Sequence, residues 1–143
     1  MVRPLTALTA AVAVAAVAIP ASTASAQNTN LRVFVSNCKK QVYKPKTITV
    51  FCADSGVVIE KIKHTSYGAK TATGTGTANV NLCEPDCAAG KTKNFKVKFA
   101  LSQVKQCGDS YQFRKLRMSY VGAKPKGDRT INQTFPCADA PTA

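Results

Sequence analysis

Phe95-Lys96-Val97-Lys98-Phe99-Ala100-Leu101 alternates apolar side chains with lysines at a period of two. Only an extended strand sends such neighbours to opposite faces, here apolar inward and lysine outward. Cys107-Gly108-Asp109-Ser110 then supplies turn chemistry. On the return, Leu116, Met118 and Tyr120 point inward and Lys115, Arg117 and Ser119 outward. Phe95 to Val121 therefore reads as an antiparallel strand pair with one wet face. Tyr111 and Phe113 have the opposite parity to Leu116, so placing all five inward requires a β-bulge near Arg114 and Lys115.

Outward from this pair, the same signals recur at Leu31 to Val35, Thr47 to Cys52, Val57 to Ser66 and Thr71 to Val80. Lys44-Pro45, Asp54-Ser55-Gly56, Glu84-Pro85-Asp86 and Lys124-Pro125-Lys126-Gly127 punctuate them. No stretch keeps a helical period beyond two turns. The pattern predicts an all-β domain, a small antiparallel β-sandwich or barrel of about six to seven strands, stapled by disulfides. Val57 and Ile59 are out of phase with Ile62, which predicts a bulge near Glu60, with Lys61 and Lys63 outward and His64 inward. Thr71 to Ala78 alternates small residues with Gly74 and Gly76, as in a flat strand passing beneath another element. The tail after Cys137 shows no core residues and reads as mobile.

The N-terminus has the form of an export signal. Arg3 is followed by an uncharged Ala/Val/Leu-rich run from Leu5 to Ile19, then by Pro20 and the small residues Ala24-Ser25-Ala26. That run is about fifteen residues, short of the ~20 that span a bilayer. Residues 1–26 are expected to be a cleaved signal peptide. Residues 27–143 then form a single secreted domain of 117 residues with no membrane span. Such a chain buries roughly 60–70% of its unfolded surface, a modest core that disulfides supplement. All six cysteines lie in the exported part, where an oxidising compartment pairs them.

Six cysteines allow fifteen pairings. Cys83-Glu84-Pro85-Asp86-Cys87 is a Pro-containing turn that brings its two sulfurs together. Cys38 and Cys52 bracket a loop whose flanking strands would set them opposite each other, which leaves Cys107 with Cys137. Zinc is the competing use of a Cys-x3-Cys spacing. The other cysteines are widely dispersed, so no metal and no cofactor is expected.

The charge is +13 over the whole chain and +12 once Arg3 is removed. Such an imbalance attracts polyanions. Lys61, Lys63, Lys96, Lys98, Lys115 and Arg117 are expected on one basic sheet face, a salt-dependent surface for anionic polymer. The aromatic residues that would stack on single-stranded bases point into the core instead, so no specific nucleic acid is expected. Asn132-Gln133-Thr134 would be a glycosylation sequon in a eukaryotic host. Catalytic signals are weak. His64 is the one histidine, so a histidine pair is impossible. No Gly-x-Ser-x-Gly elbow is present, carboxylates are few, and no tryptophan is available to stack on a sugar. The expectation is a protein that is not an enzyme.

Thr47-Ile48-Thr49-Val50-Phe51-Cys52-Ala53-Asp54, His64-Thr65-Ser66-Tyr67-Gly68, Ala72-Thr73-Gly74-Thr75-Gly76 and Asn81-Leu82-Cys83-Glu84-Pro85-Asp86-Cys87-Ala88-Ala89-Gly90 together resemble small secreted actinobacterial proteins of unknown function. The resemblance covers about Cys38 to Tyr120. Tryptophan often stands in that family where this chain has His64, which implies a packing role there. It carries over no activity, but it implies a Gram-positive envelope and an anionic cell-wall polymer as neighbour. The alternative expectation is a secreted protease inhibitor or defence factor presenting the rigid loop Cys83 to Gly90.

Overall fold

The computed structural model describes residues 31–54 and 56–138. The expected signal peptide therefore lies outside the described residues. Eight strands are present and no helix among those residues: β1 (Val33–Asn37), β2 (Lys40–Val42), β3 (Ile48–Thr49), β4 (Val57–Tyr67), β5 (Ala72–Asn81), β6 (Thr92–Cys107), β7 (Ser110–Tyr120) and β8 (Thr130–Thr134). They form one sheet in the order β2-β1-β7-β6-β5-β4-β3, with β8 also paired to β7. The fold is the expected disulfide-stapled all-β type, in the form of a curled half-barrel.

β3 to β7 make an antiparallel meander, each strand pairing with the next in sequence. One pair departs from the antiparallel expectation. β1 runs parallel to β7, aligning Val33 with Tyr111 and Val35 with Phe113. β1 and β7 are far apart in sequence, so no hairpin constrains their direction. The short β2 and β8 carry too few β-branched residues in a row to signal strands locally, and their edge pairing depends on neighbours already in place.

Alternation on the long strands builds the core. Ile59, Val97, Phe99, Leu101, Leu116 and Met118 are almost fully buried from one face of the sheet. Two irregularities keep β4 facing inward. Its register to β5 shifts between Glu60 and Lys63 and again between His64 and Ser66. The first is the expected bulge, with Lys61 at φ 52°. The second has no counterpart in the sequence expectation; it returns Tyr67 to the inner side after His64. The bulged strand leans over β5, where only hydrogen fits. A Cβ on Gly74 would sit 2.6 Å from the Lys63 carbonyl oxygen, and one on Gly76 would sit 2.8 Å from Ile59 Cγ2.

The expected bulge at Arg114 and Lys115 takes another form. Register to β6 is unchanged on either side, with Leu101 opposite Leu116 and Val104 opposite Phe113. Instead Gln103 adopts φ 57° and the ladder is interrupted there. At the same point β7 changes partner on its other edge, from β1 at residues 111–113 to β8 at residues 115–119. Phe113 and Leu116 are both fully buried as a result, whereas Tyr111 is 37% exposed rather than inward.

The bonds Cys38–Cys52, Cys83–Cys87 and Cys107–Cys137 staple the sheet, the pairing favoured on spacing. The segment after Cys137 begins as core rather than as a free tail. Ala138 is buried; its carbonyl accepts from Gln41 Nε2 at 2.9 Å and from Gln112 Nε2 at 3.0 Å, and its N–H donates to Gln112 Oε1. Residues 139–143 lie outside the described part.

Candidate functional site

The outer face of the sheet follows from the parity that buries the core. Each inward residue of β4 to β8 forces its neighbours outward. Register then lines these up across strands. Lys63, Thr75, Lys98, Ser119 and Thr130 form one row, each opposite the next. The adjacent row holds Thr73, Ala100, Arg117 and Asn132. Lys96 sits opposite Thr77, and Lys115 lies between Ser102 and Thr134. Strands lie about 4.8 Å apart, so the Lys63 and Lys98 backbones are roughly 10 Å apart along a row.

Five of the six expected cations are thus held in register. Lys61 is exposed, but it occupies the bulge and stands outside the rows. Hydroxyls fill the space between the cations, and some pair with each other: Ser66 Oγ with Thr73 Oγ1 at 2.8 Å, and Ser119 Oγ with Thr130 Oγ1 at 2.9 Å. Between Lys98 and Arg117 the methyl of Ala100 leaves a depression of about 450 Å³, also lined by Thr73 and Ser119. The sequence expectation missed these hydroxyls, although the Thr-x-Thr-x-Thr parity of β5 carried the signal. Among the described residues the one ion pair is Lys126–Glu84, 3.0 Å apart and off this face. The lysines of the rows therefore keep their charge available.

His64 is half-buried and ringed by packing partners. Its Nε2 lies 3.0 Å from the Pro45 carbonyl, which can only accept, so Nε2 carries the proton. Nδ1 is buried with no partner. Tyr67 and Phe99 meet the imidazole edge-on, with centroids 5.0 and 5.9 Å away. The donated hydrogen bond fixes the ring across the gap between β4 and the segment before β3.

The cysteines are occupied with one another, so Cys83 and Cys87 offer no thiolate to a metal. Their loop is braced from beneath. Asn81 donates from Nδ2 to the Cys87 carbonyl and accepts at Oδ1 from the Cys83 N–H, while Asp86 Oδ1 accepts from the Ala88 and Ala89 N–H groups. No family model, curated protein or solved structure matches this chain.

Proposed function

We propose that this protein is secreted, has no catalytic role, and binds an anionic extracellular or cell-wall polymer on the outer face of β4 to β8. One observation carries the reading. Lys63, Lys96, Lys98, Lys115 and Arg117 stand in register on that face, and Glu60 is the single carboxylate in β4 through β8. A polymer laid across the rows would release condensed counterions at each contact, so affinity falls with salt. Three disulfides within the chain, and no described helix long and apolar enough to cross a membrane, agree with an extracellular setting. The likeness to actinobacterial secreted proteins favours a cell-wall polymer as the anion.

The test is co-sedimentation with purified anionic cell wall, or retention on heparin, across a salt series. The double variant Lys98→Gln/Arg117→Gln is expected to flatten the slope of log affinity against log salt by about two, one per lost contact. Lys70→Gln/Lys91→Gln removes the same charge from exposed loops and is expected to change the slope by less than half as much. Equal effects of the two double variants, or binding insensitive to salt, overturn the reading.

The braced loop Cys83 to Gly90 favours a second reading, in which it enters a protease cleft as a preorganised inhibitor segment. That reading requires a stoichiometric complex with a secreted protease, lost on Asn81→Ala.

A further inference from the structure

Among the described residues, β8 has β7 on one edge and no strand on the other. The ladder shows which backbone groups this leaves outward. Tyr120 N–H donates to the Arg129 carbonyl and Phe135 N–H to the Arg114 carbonyl, at the two ends of the β7–β8 pairing. Bonded positions alternate along an antiparallel pair, so Ile131 and Gln133 turn their backbone groups to β7. Thr130, Asn132 and Thr134 turn theirs to the free edge, and the last two are exposed. The Thr134 carbonyl accepts from Gln133 Nε2 at 3.3 Å and keeps a second lone pair. Hollows lined by Thr130, Ile131 and Asn132 at one end, and by Gln133 and Phe135 at the other, leave room along this edge.

The other edges of the sheet are guarded. Open edges template pairing with another chain, and lysines, bulges, short strands or a covering group block them. β2 has three residues and carries Lys40. Asn37 covers β3, accepting from the Thr49 N–H and donating to the Thr47 carbonyl. β4, beyond its two pairs with β3, carries Lys61, Lys63 and two register shifts. β8 reads Thr-Ile-Asn-Gln-Thr, with no charge, no proline and an unbroken register to β7.

That edge is self-complementary. Its outward groups fall at Thr130, Asn132 and Thr134, symmetric about Asn132. Turned about a two-fold axis there, Asn132 faces its counterpart and Thr130 faces the counterpart of Thr134. Each such pair can exchange both backbone hydrogen bonds. We propose that a second copy of this chain pairs with β8 in this antiparallel register.

The missing charge on β8 makes the pairing tolerable for so basic a chain. Arg117 lies opposite Asn132, so it and its counterpart stand three strand spacings apart. That is about 14 Å, beyond the roughly 8 Å over which charges are felt at physiological salt. The row Thr73, Ala100, Arg117, Asn132 then runs on into the same row of the second copy, and the two basic faces become one. Five residues a side is far below the roughly 20–30 of a standard interface, so a Kd of about 0.1–1 mM is expected.

Sedimentation over a concentration series to about 1 mM, in about 0.15 M salt, tests this without any polymer, so it stands or falls apart from the polymer reading. The parent's mass is expected to climb toward a dimer, with amide exchange slowing at Thr130, Asn132 and Thr134. Asn132→Pro removes an N–H that β7 does not use, a position where an edge strand accepts proline. It is expected to weaken pairing about 10- to 100-fold, roughly 3- to 10-fold for each of the two bonds lost at the axis. Asn132→Glu and Asn132→Lys change only an exposed side chain and set like charges face to face. Each alone is expected to stay monomeric, and their equal mixture to pair at least as tightly as the parent. This exchange decides the matter should Asn132→Pro fail to fold. A parent monomeric throughout overturns the proposal and leaves the edge to a strand from a different protein. A mixture no better than its components, or slowed exchange centred on β2 or β4, overturns it too.

Discussion

The Tyr67 hydroxyl donates to the Val33 carbonyl at 2.8 Å, across the open side of the curled sheet. β4 and β1 are separated in the sheet by β5, β6 and β7, so this bond is made only when the curl is complete. Asn37 repeats the link nearby, donating from Nδ2 to the Thr47 carbonyl and accepting at Oδ1 from the Thr49 N–H. Side chains thus close a seam where no backbone ladder runs.

Tyr67→Phe should therefore cost about 1–2 kcal/mol, since it strips the Val33 carbonyl of this partner. For a domain of this size that is a fall in Tm of very roughly 4–10 °C. Calorimetry that finds Tm unchanged would mean that the seam contributes nothing.

The same hydroxyl gives a pH signature. Its pKa is raised from 10.0 to about 12, chiefly by burial, with the Lys44 N–H opposing and Tyr43 adding a smaller push upward. The folded state then holds the proton more tightly than the unfolded chain. Stability from this group is complete below pH 10 and is lost as pH rises toward about 12. The informative quantity is the difference between parent and Tyr67→Phe, which isolates this hydroxyl and should shrink across that window. A constant difference in chemical denaturation from pH 9 to 11.5 would contradict it.

The disulfides should rank by the loop they close. In the chain-entropy account, Cys107–Cys137, with a separation of 30, contributes about 3.6 kcal/mol, and Cys83–Cys87, with a separation of 4, about 2 kcal/mol. Cys107–Cys137 also holds the chain beside the fully buried Phe135. Replacing each pair with alanines and measuring urea midpoints should give the larger loss for Cys107–Cys137; the reverse order would refute this ranking.

Two kinds of glycine should respond differently to alanine. At Gly74 the new Cβ would meet the Lys63 carbonyl and the Phe99 ring, an overpacking cost of about 1–3 kcal/mol. At Gly108 space is open and only the left-handed φ of 61° resists, at about 1 kcal/mol. Gly74→Ala should also perturb amide shifts in β4 and β6, whereas Gly108→Ala should stay local to its turn. Similar stabilities and similarly local shifts for both would show that β4 does not press on β5.

Much of this architecture is legible residue by residue. The Phe95–Leu101 alternation marks β6, and the phase slip between Ile59 and Ile62 marks the bulge at Lys61. The slip between Phe113 and Leu116 is equally visible, but its form is not. Parity shows that the strand must turn over near Arg114; whether it does so by an extra residue or by a kink at Gln103 depends on the facing strand. The outer cations could be assigned from parity, whereas the anchoring of Ala138 by Gln41 and Gln112 could not, because β2 and β7 reach its carbonyl only in the folded sheet.

Local order in the chain thus dictates which segments extend, which way their side chains face, and where turns bring cysteines close. These are consequences of pleat geometry and turn stereochemistry acting over a few residues. Which strand edges meet is another matter, because backbone N–H and C=O groups are the same on every strand and carry no label of their partner. The parallel docking of β1 on β7, the change of partner at Arg114 and the anchoring of Ala138 by Gln41 and Gln112 arise when the curled sheet brings distant segments together.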